Sequence, residues 1–223
     1  MKTAFAILLS LFTTGCSLEH DASPKLTRPK SILVIRHAEK PADAVGIHLS
    51  PEGTKRAEAL PALFKMTDTR PNPFPTPDFV FAAKASKHSN RPVETITPLA
   101  KALKLDINAE YANDNYASLA EELYSNQKYE GKTVLICWHH GMIPELAVML
   151  GATEVPDKWK DPVFDRVWQV TFDDKGKAKS LVKRHQALMP GDGKRSCGVL
   201  SVRDQDFARD AFHDVERHQV RVG

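Results

Sequence analysis

The chain has 223 residues, 42% of them apolar, 26% charged and 8% aromatic, which excludes a largely disordered, collagen-like or disulfide-framework protein and leaves length for one domain with a sizeable core. Lys and Arg number 31 against 28 Asp and Glu, a net charge of +3 with no basic block, so nothing points to a nucleic-acid binder. No apolar run reaches the roughly 18 residues of a spanning helix, and the three cysteines, at 16, 137 and 197, are an odd number.

Met1-Lys2 opens the chain with one positive charge, and Ala4 to Phe12 (AFAILLSLF) is an apolar stretch of signal-peptide length. Thr13-Thr14-Gly15-Cys16 then places small residues before a cysteine, which resembles the lipobox of bacterial lipoproteins, although Thr13 stands where Leu is usual. The expectation is a signal peptide over 1–15, lipid attachment at Cys16 and a polar tether over 16–30 with Pro24 and Pro29. Ser17, rather than Asp, after the cysteine favours an outer-membrane anchor on the periplasmic side. Plain export, or a cytosolic protein with a buried N-terminal helix, are the alternatives.

Ser31 to His37 (SILVIRH) reads as a strand buried on both faces. Ser50-Pro51-Glu52 is a helix start, with Ser as the cap, Pro in the first turn and an acid beside it. Ala57, Leu60 and Phe64 continue that helix, and Pro61 predicts a kink or an early stop. Four prolines between 71 and 77 make a stiff connector to a second strand, Asp78 to Ala83. Val93, Ile96, Ala100 and Leu103 mark a second helix with an interior Pro98, and Leu119 and Leu123 a third. Thr133 to Trp138 is a third buried strand, followed by a helix through Ile143, Leu146, Ala147 and Leu150 that Gly151 ends. Val167–Phe172 and Ser180–Arg184 flank Asp173-Asp174-Lys175-Gly176, a hairpin signal. Phe207, Ala208, Ala211, Phe212 and Val215 form one more helical stripe. Strands alternating with helices predict a three-layer α/β/α domain with a mostly parallel central sheet over 31–190, and a C-terminal extension over 191–223 docked on it.

Polar residues gather where strands end, the edge at which open α/β sheets bind ligands. Arg36-His37-Ala38-Glu39 follows the first strand, Arg91-Pro92-Val93-Glu94-Thr95 lies after the second, and His139-His140-Gly141 follows the third. Glu110 to Tyr116 adds carboxylates before the third helix. A neutral imidazole can attack phosphorus and split one displacement into two. A transferring phosphoryl group needs fixed cations around it, and the planar fork of arginine meets it bidentately. The bland readings are a structural histidine after a strand and an ion pair between Arg36 and Glu39.

In chain order, Arg36-His37-x-Glu39, Leu49 to Ala57 (LSPEGTKRA), Arg91-x-x-Glu94-Thr95 and Val134 to His139 together resemble the histidine phosphatase superfamily, in its phosphoglycerate mutase-like branch. The resemblance is close over 31–151 and looser to about 190. It implies a phosphoglycerate mutase-like fold and phosphomonoester hydrolysis through a phosphohistidine. His37 would be the nucleophile, and Arg36, Arg91 and His139 would hold the phosphoryl group, with no metal or cofactor. His139 suits that role better than His140, because the apolar run ends one residue before it. In the acid phosphatase branch an Asp follows the second histidine, where this chain has His140. For the acid that protonates the leaving oxygen, Glu110 and Asp114 remain candidates beside plain surface charge. The expected partner is a phosphorylated small molecule or phosphoprotein. A phosphomutase and a lipoprotein that binds a phosphorylated ligand without turnover are the alternatives. His48 reads as a surface histidine near the pocket mouth, and Cys137 as a buried thiol that could otherwise pair with Cys197.

Overall fold

Every residue of β1 (Ser31–Arg36) and of β4 (Thr133–Trp138) is buried in the computed structural model, which describes residues 28–42, 46–173 and 177–193. Such burial requires cover on both faces of the sheet, and the alternation of side chains shows it. Ile32, Val34, Val134, Ile136 and Phe81 pack with Leu119 and Leu123 of α3 (Tyr116–Ser125) and with Ile143, Leu146 and Ala147 of α4 (Ile143–Met149). Leu33, Ile35, Leu135 and Cys137 pack on the other face with Ile96 and Leu99 of α2 (Arg91–Leu103). Leu60 and Leu63, in a short 3₁₀ turn, complete that layer, and α1 (Pro51–Ala59) lies against α2. The architecture is therefore helix, sheet, helix, as the alternation of strands and helices predicts.

The sheet has six strands in the order β3-β2-β4-β1-β5-β6, adding β2 (Phe79–Ala82), β3 (Ile107–Asn108), β5 (Arg166–Phe172) and β6 (Ala178–His185). β3, β2, β4 and β1 run parallel, with Val34 opposite Ile136 and Val80 opposite Leu135. The expected hairpin forms the antiparallel edge: β5 pairs with β1 on one side and β6 on the other. Its register shifts between Val170 and Phe172, a bulge. β3 has only two residues, too few to carry a hydrophobic period, and is made by pairing with Val80 and Phe81.

The prolines act locally. α1 ends at Ala59 and Pro61 opens the tighter 3₁₀ turn, the early stop that the sequence predicts. Pro98 is carried inside α2, which continues to Leu103 and closes on Lys104 in the left-handed region. Gly151 takes φ +74 just after α4, a conformation that glycine adopts without strain. Phe74 of the proline-rich connector is buried under the Arg184 guanidinium, 4.0 Å from its ring centre.

The signal peptide, Cys16 and most of the tether lie outside the described residues, as do Cys197 and the C-terminal stripe at 207–215. Cys137 is a free thiol, fully buried, and burial pushes its pKa up. Among the described residues no helix is long and apolar enough to cross a membrane.

Candidate active site

The parallel strands β1, β2 and β4 end at one edge, and the loops leaving them are laced together. The His37 amide donates to the Trp138 carbonyl (3.0 Å) and the Ala83 amide to the Cys137 carbonyl (3.0 Å). Thr95 joins the first loop to α2: its Oγ1 accepts from the Ala38 amide (2.9 Å) and donates to the Arg91 carbonyl (2.7 Å). Glu94 fixes the preceding loop, accepting from the Leu49 amide (2.9 Å) and pairing with His48. His48 is thus an exposed loop residue.

The segment Ser50 to Gly53 is pressed against the same loop. Ser50 Oγ caps α1 at the Gly53 amide (3.0 Å), and the Ser50 amide donates to the Glu39 carbonyl (2.9 Å). A Cβ on Gly53 would stand 2.3 Å from the Glu39 carbonyl oxygen, so only glycine allows this approach. Glu39 does not pair with Arg36. It receives Arg56 Nε at 2.9 Å and Nη2 at 2.8 Å, and Arg56 also holds Asp192 at 2.9 Å through each of its two Nη atoms. This buried trio straps the chain near Gly193 to the loop after β1. These partners keep Arg56 charged, raising its pKa against the burial that would lower it.

Arg36, His37, Arg91 and His139 face one another in this frame. His37 is 3% exposed, and its Nδ1 lies 2.7 Å from the Ala38 carbonyl oxygen. A carbonyl only accepts, so Nδ1 carries the proton of the neutral ring and Nε2 keeps a lone pair. The His139 ring stands edge-on to it, centres 5.2 Å apart at 69°. Burial first, then Arg36, His139 and Arg91, lower the His37 pKa to about 2. Burial, Arg91, His140 and Arg36 lower that of His139 to about 4. Both rings are neutral at pH 7.

The two arginines are held by part of their donor sets. Arg36 stacks on Phe164, 3.9 Å from the ring centre. Its Nη1 donates to the carbonyls of Asp161 and Val163, and its Nη2 to Asp161 Oδ1 at 3.1 Å. Arg91 Nη1 donates to the Gly46 carbonyl at 3.0 Å. The Nε atoms of Arg36 and Arg91 are buried and have no partner among the described residues. The two guanidiniums are near enough for Arg91 to lower the pKa of Arg36, after burial. Buried donors without acceptors beside two guanidiniums are the features of a candidate anion site. Among the described residues no three His, Cys, Asp or Glu side chains are placed to hold a metal ion.

His140 Nε2 lies 3.3 Å from Asp161 Oδ1, the oxygen that also receives Arg36 Nη2. The segment at 110–114 crosses the same sheet edge, since the Lys84 amide donates to the Tyr111 carbonyl (2.8 Å) and Trp138 Nε1 to the Asn113 carbonyl (3.0 Å). The Glu110 and Asp114 side chains are exposed, and neither joins a hydrogen bond or ion pair with the cluster among the described residues. The sequence does not reveal Asp161, Val163 and Phe164 as the clamp on Arg36. They sit in an irregular stretch before β5, and only its aromatics and Pro162 set it apart.

No family model and no curated protein matches this chain in sequence. Solved structures do match in shape. The protein histidine phosphatase SixA, complexed with tungstate, superposes with a TM-score of 0.50 at 14% identity, over 70% of this chain and 97% of that one. The alpha-ribazole phosphatase of Shigella flexneri gives 0.49 at 14% identity, over 72% and 98%. The phosphoglycerate mutase of Plasmodium falciparum gives 0.46 at 17% identity, over 73% and 95%. With its sheet order, its flanking helices and this likeness to SixA, the chain has the α/β fold of the histidine phosphatases, the phosphoglycerate mutase-like fold that its motifs predict.

Proposed function

We propose that this protein hydrolyses phosphomonoesters through a covalent phosphohistidine at His37. The observation that carries this reading is the pair of buried, unpartnered Nε groups of Arg36 and Arg91 beside a neutral His37 whose Nε2 keeps its lone pair. The phosphoryl group docks on the two arginines, and its spreading negative charge is matched by donors already in position. His139 supplies a further contact. Its pKa, depressed by burial and then by neighbouring cations, rises when an anion enters, and the ring then donates. Nε2 of His37 attacks phosphorus, and water later releases phosphate from the histidine. His37→Ala and His37→Asn, measured on a panel of alkyl and aryl phosphates, should fall to the uncatalysed rate. A His37 variant with wild-type turnover contradicts the assignment.

We further propose that the protein acts on the periplasmic side of a bacterial membrane, tethered by lipid on Cys16. The apolar stretch Ala4 to Phe12, the small residues before Cys16 and the polar stretch after it support this. Labelled fatty acid should be incorporated by the wild type and lost in Cys16→Ser; labelling that persists in the variant rejects the anchor.

A further inference from the structure

We propose that Arg56, anchored by Asp192, is a positioning residue for His37: through Glu39 it fixes the peptide group whose carbonyl keeps the His37 proton on Nδ1. This role rests on His37 being the nucleophile. The ring is neutral, so its reactivity turns on which nitrogen carries the single proton, and the hydrogen bonds of the ring decide that. The partner of Nδ1 is the Ala38 carbonyl, 2.7 Å away. That carbonyl belongs to the peptide joining Ala38 to Glu39. If the peptide turns, Nδ1 loses its acceptor, the proton is free to sit on Nε2, and the lone pair aimed at phosphorus is gone. Ala38 is fully buried, so solvent offers Nδ1 no substitute.

Both sides of this peptide are gripped. On one side the Ala38 amide donates to Thr95 Oγ1 at 2.9 Å. On the other, the Glu39 carbonyl accepts from the Ser50 amide at 2.9 Å, and a Cβ on Gly53 would stand 2.9 Å from the Glu39 amide nitrogen. The Glu39 carboxylate is the remaining handle, and Arg56 takes it. Nε donates to Oε1 at 2.9 Å and to Oε2 at 3.0 Å, and Nη2 to Oε1 at 2.8 Å. With its side chain held and its backbone pressed by α1, Glu39 has no room to rotate, and the tilt of the Ala38 carbonyl follows.

Arg56 differs from the two arginines beside His37 in how its donors are used. A guanidinium has five N–H groups. In Arg56 all five are engaged: one on Glu39 from Nε, two from Nη2 on Glu39 and Asp192 Oδ1 (2.9 Å), and two from Nη1 on Asp192 Oδ2 (2.9 Å) and Gln186 Oε1 (3.2 Å). Arg36 and Arg91 each leave Nε without a partner among the described residues. Arg56 therefore has nothing to offer a phosphoryl group, and its fork is a bridge between two segments of protein.

The far end of the bridge is rooted as firmly as the near end. Asp192 Oδ2 also accepts from the Leu188 and Met189 amides at 2.9 and 3.0 Å, and Gln186 Nε2 donates to the Arg166 carbonyl at 3.3 Å. The turn after β6 thus braces the loop after β1. Lysine cannot make this bridge, because its three donors sit on one atom and lack the planar fork.

The test reads the tautomer directly. With isotope-labelled nitrogen in the histidines of the whole chain, magnetic resonance separates protonated from bare ring nitrogens, and the His37 signals are those lost in His37→Asn. In the wild type the proton should sit on Nδ1. Arg56→Lys keeps the charge and loses the fork, while Asp192→Asn keeps one acceptor oxygen and loses the other. In both, the His37 proton should shift in part to Nε2. The kcat of Arg56→Lys on an aryl phosphate should fall by about 10²-fold, the effect of a misplacement of roughly 1 Å at the reacting atoms. Inhibition by inorganic phosphate, which reports Arg36 and Arg91, should stay at the wild-type level. If Arg56→Lys does not fold, the milder Asp192→Asn carries the test. A wild-type tautomer in the folded variants, or a loss of kcat matched by an equal weakening of phosphate inhibition, overturns the proposal and leaves the trio a support of the fold alone. Wild type that forms no phosphohistidine from the aryl phosphate overturns instead the reading beneath it, whichever nitrogen holds the proton.

Discussion

The protonation state of His37 is decided by burial, one hydrogen bond and three neighbours. Nδ1 donates its proton to the Ala38 carbonyl, and burial, then Arg36, His139 and Arg91, oppose a second proton. The ring is therefore neutral near pH 7, and in the proposed mechanism activity near neutrality is not limited by deprotonation of His37. The arginines are tuned differently. Arg91 is tied by one Nη1 to Gly46 and leaves Nε buried and unspent. Lysine keeps the charge but loses the fork. Arg91→Lys should cost roughly 10–100-fold in kcat/KM, the worth of one charge-assisted hydrogen bond of about 1.5–3 kcal/mol, with the fold unchanged by circular dichroism. Wild-type kcat/KM in that variant would show that the guanidinium does not touch substrate.

Strands and helices explain why some of this is visible in the sequence. β1 and β4 are apolar along nearly their whole length because helices cover both faces, and the sudden appearance of Arg36-His37 and His139 at their ends marks the edge of the candidate site. The other motifs prove to be scaffold. Thr95 ties Ala38 to Arg91, Glu94 pins Leu49, and Gly53 lets α1 meet the Glu39 carbonyl. Gly53→Ala forces a methyl group onto that carbonyl at 2.3 Å and should destabilise by about 1–3 kcal/mol, measured by urea unfolding. Unchanged stability would mean that α1 shifts freely. What the sequence hides is pairing across distance. Arg36 and Phe164, or Arg56 and Asp192, meet only through the tertiary fold, and no period or spacing links them. β3 is hidden for a similar reason, since two residues have no pattern of their own. Glu110 and Asp114 were legible only as carboxylates near the edge; their exposed side chains explain why spacing alone could not assign them a role.

At the scale of the whole molecule, a parallel sheet delivers three loops to one edge, and the antiparallel hairpin closes its other side. The chain before β5 returns to clamp Arg36, and the chain after β6 returns to clamp Arg56. The candidate site is thus built from segments throughout the described residues, and its arginines are fixed by protein partners of their own. The most direct test is to mix the wild-type protein with a phosphomonoester carrying labelled phosphorus and quench in denaturant at alkaline pH. The account predicts label on His37, stable in base, lost in acid, and absent from His37→Asn. Turnover with no label on the protein, or label on another residue that survives in His37→Asn, contradicts it.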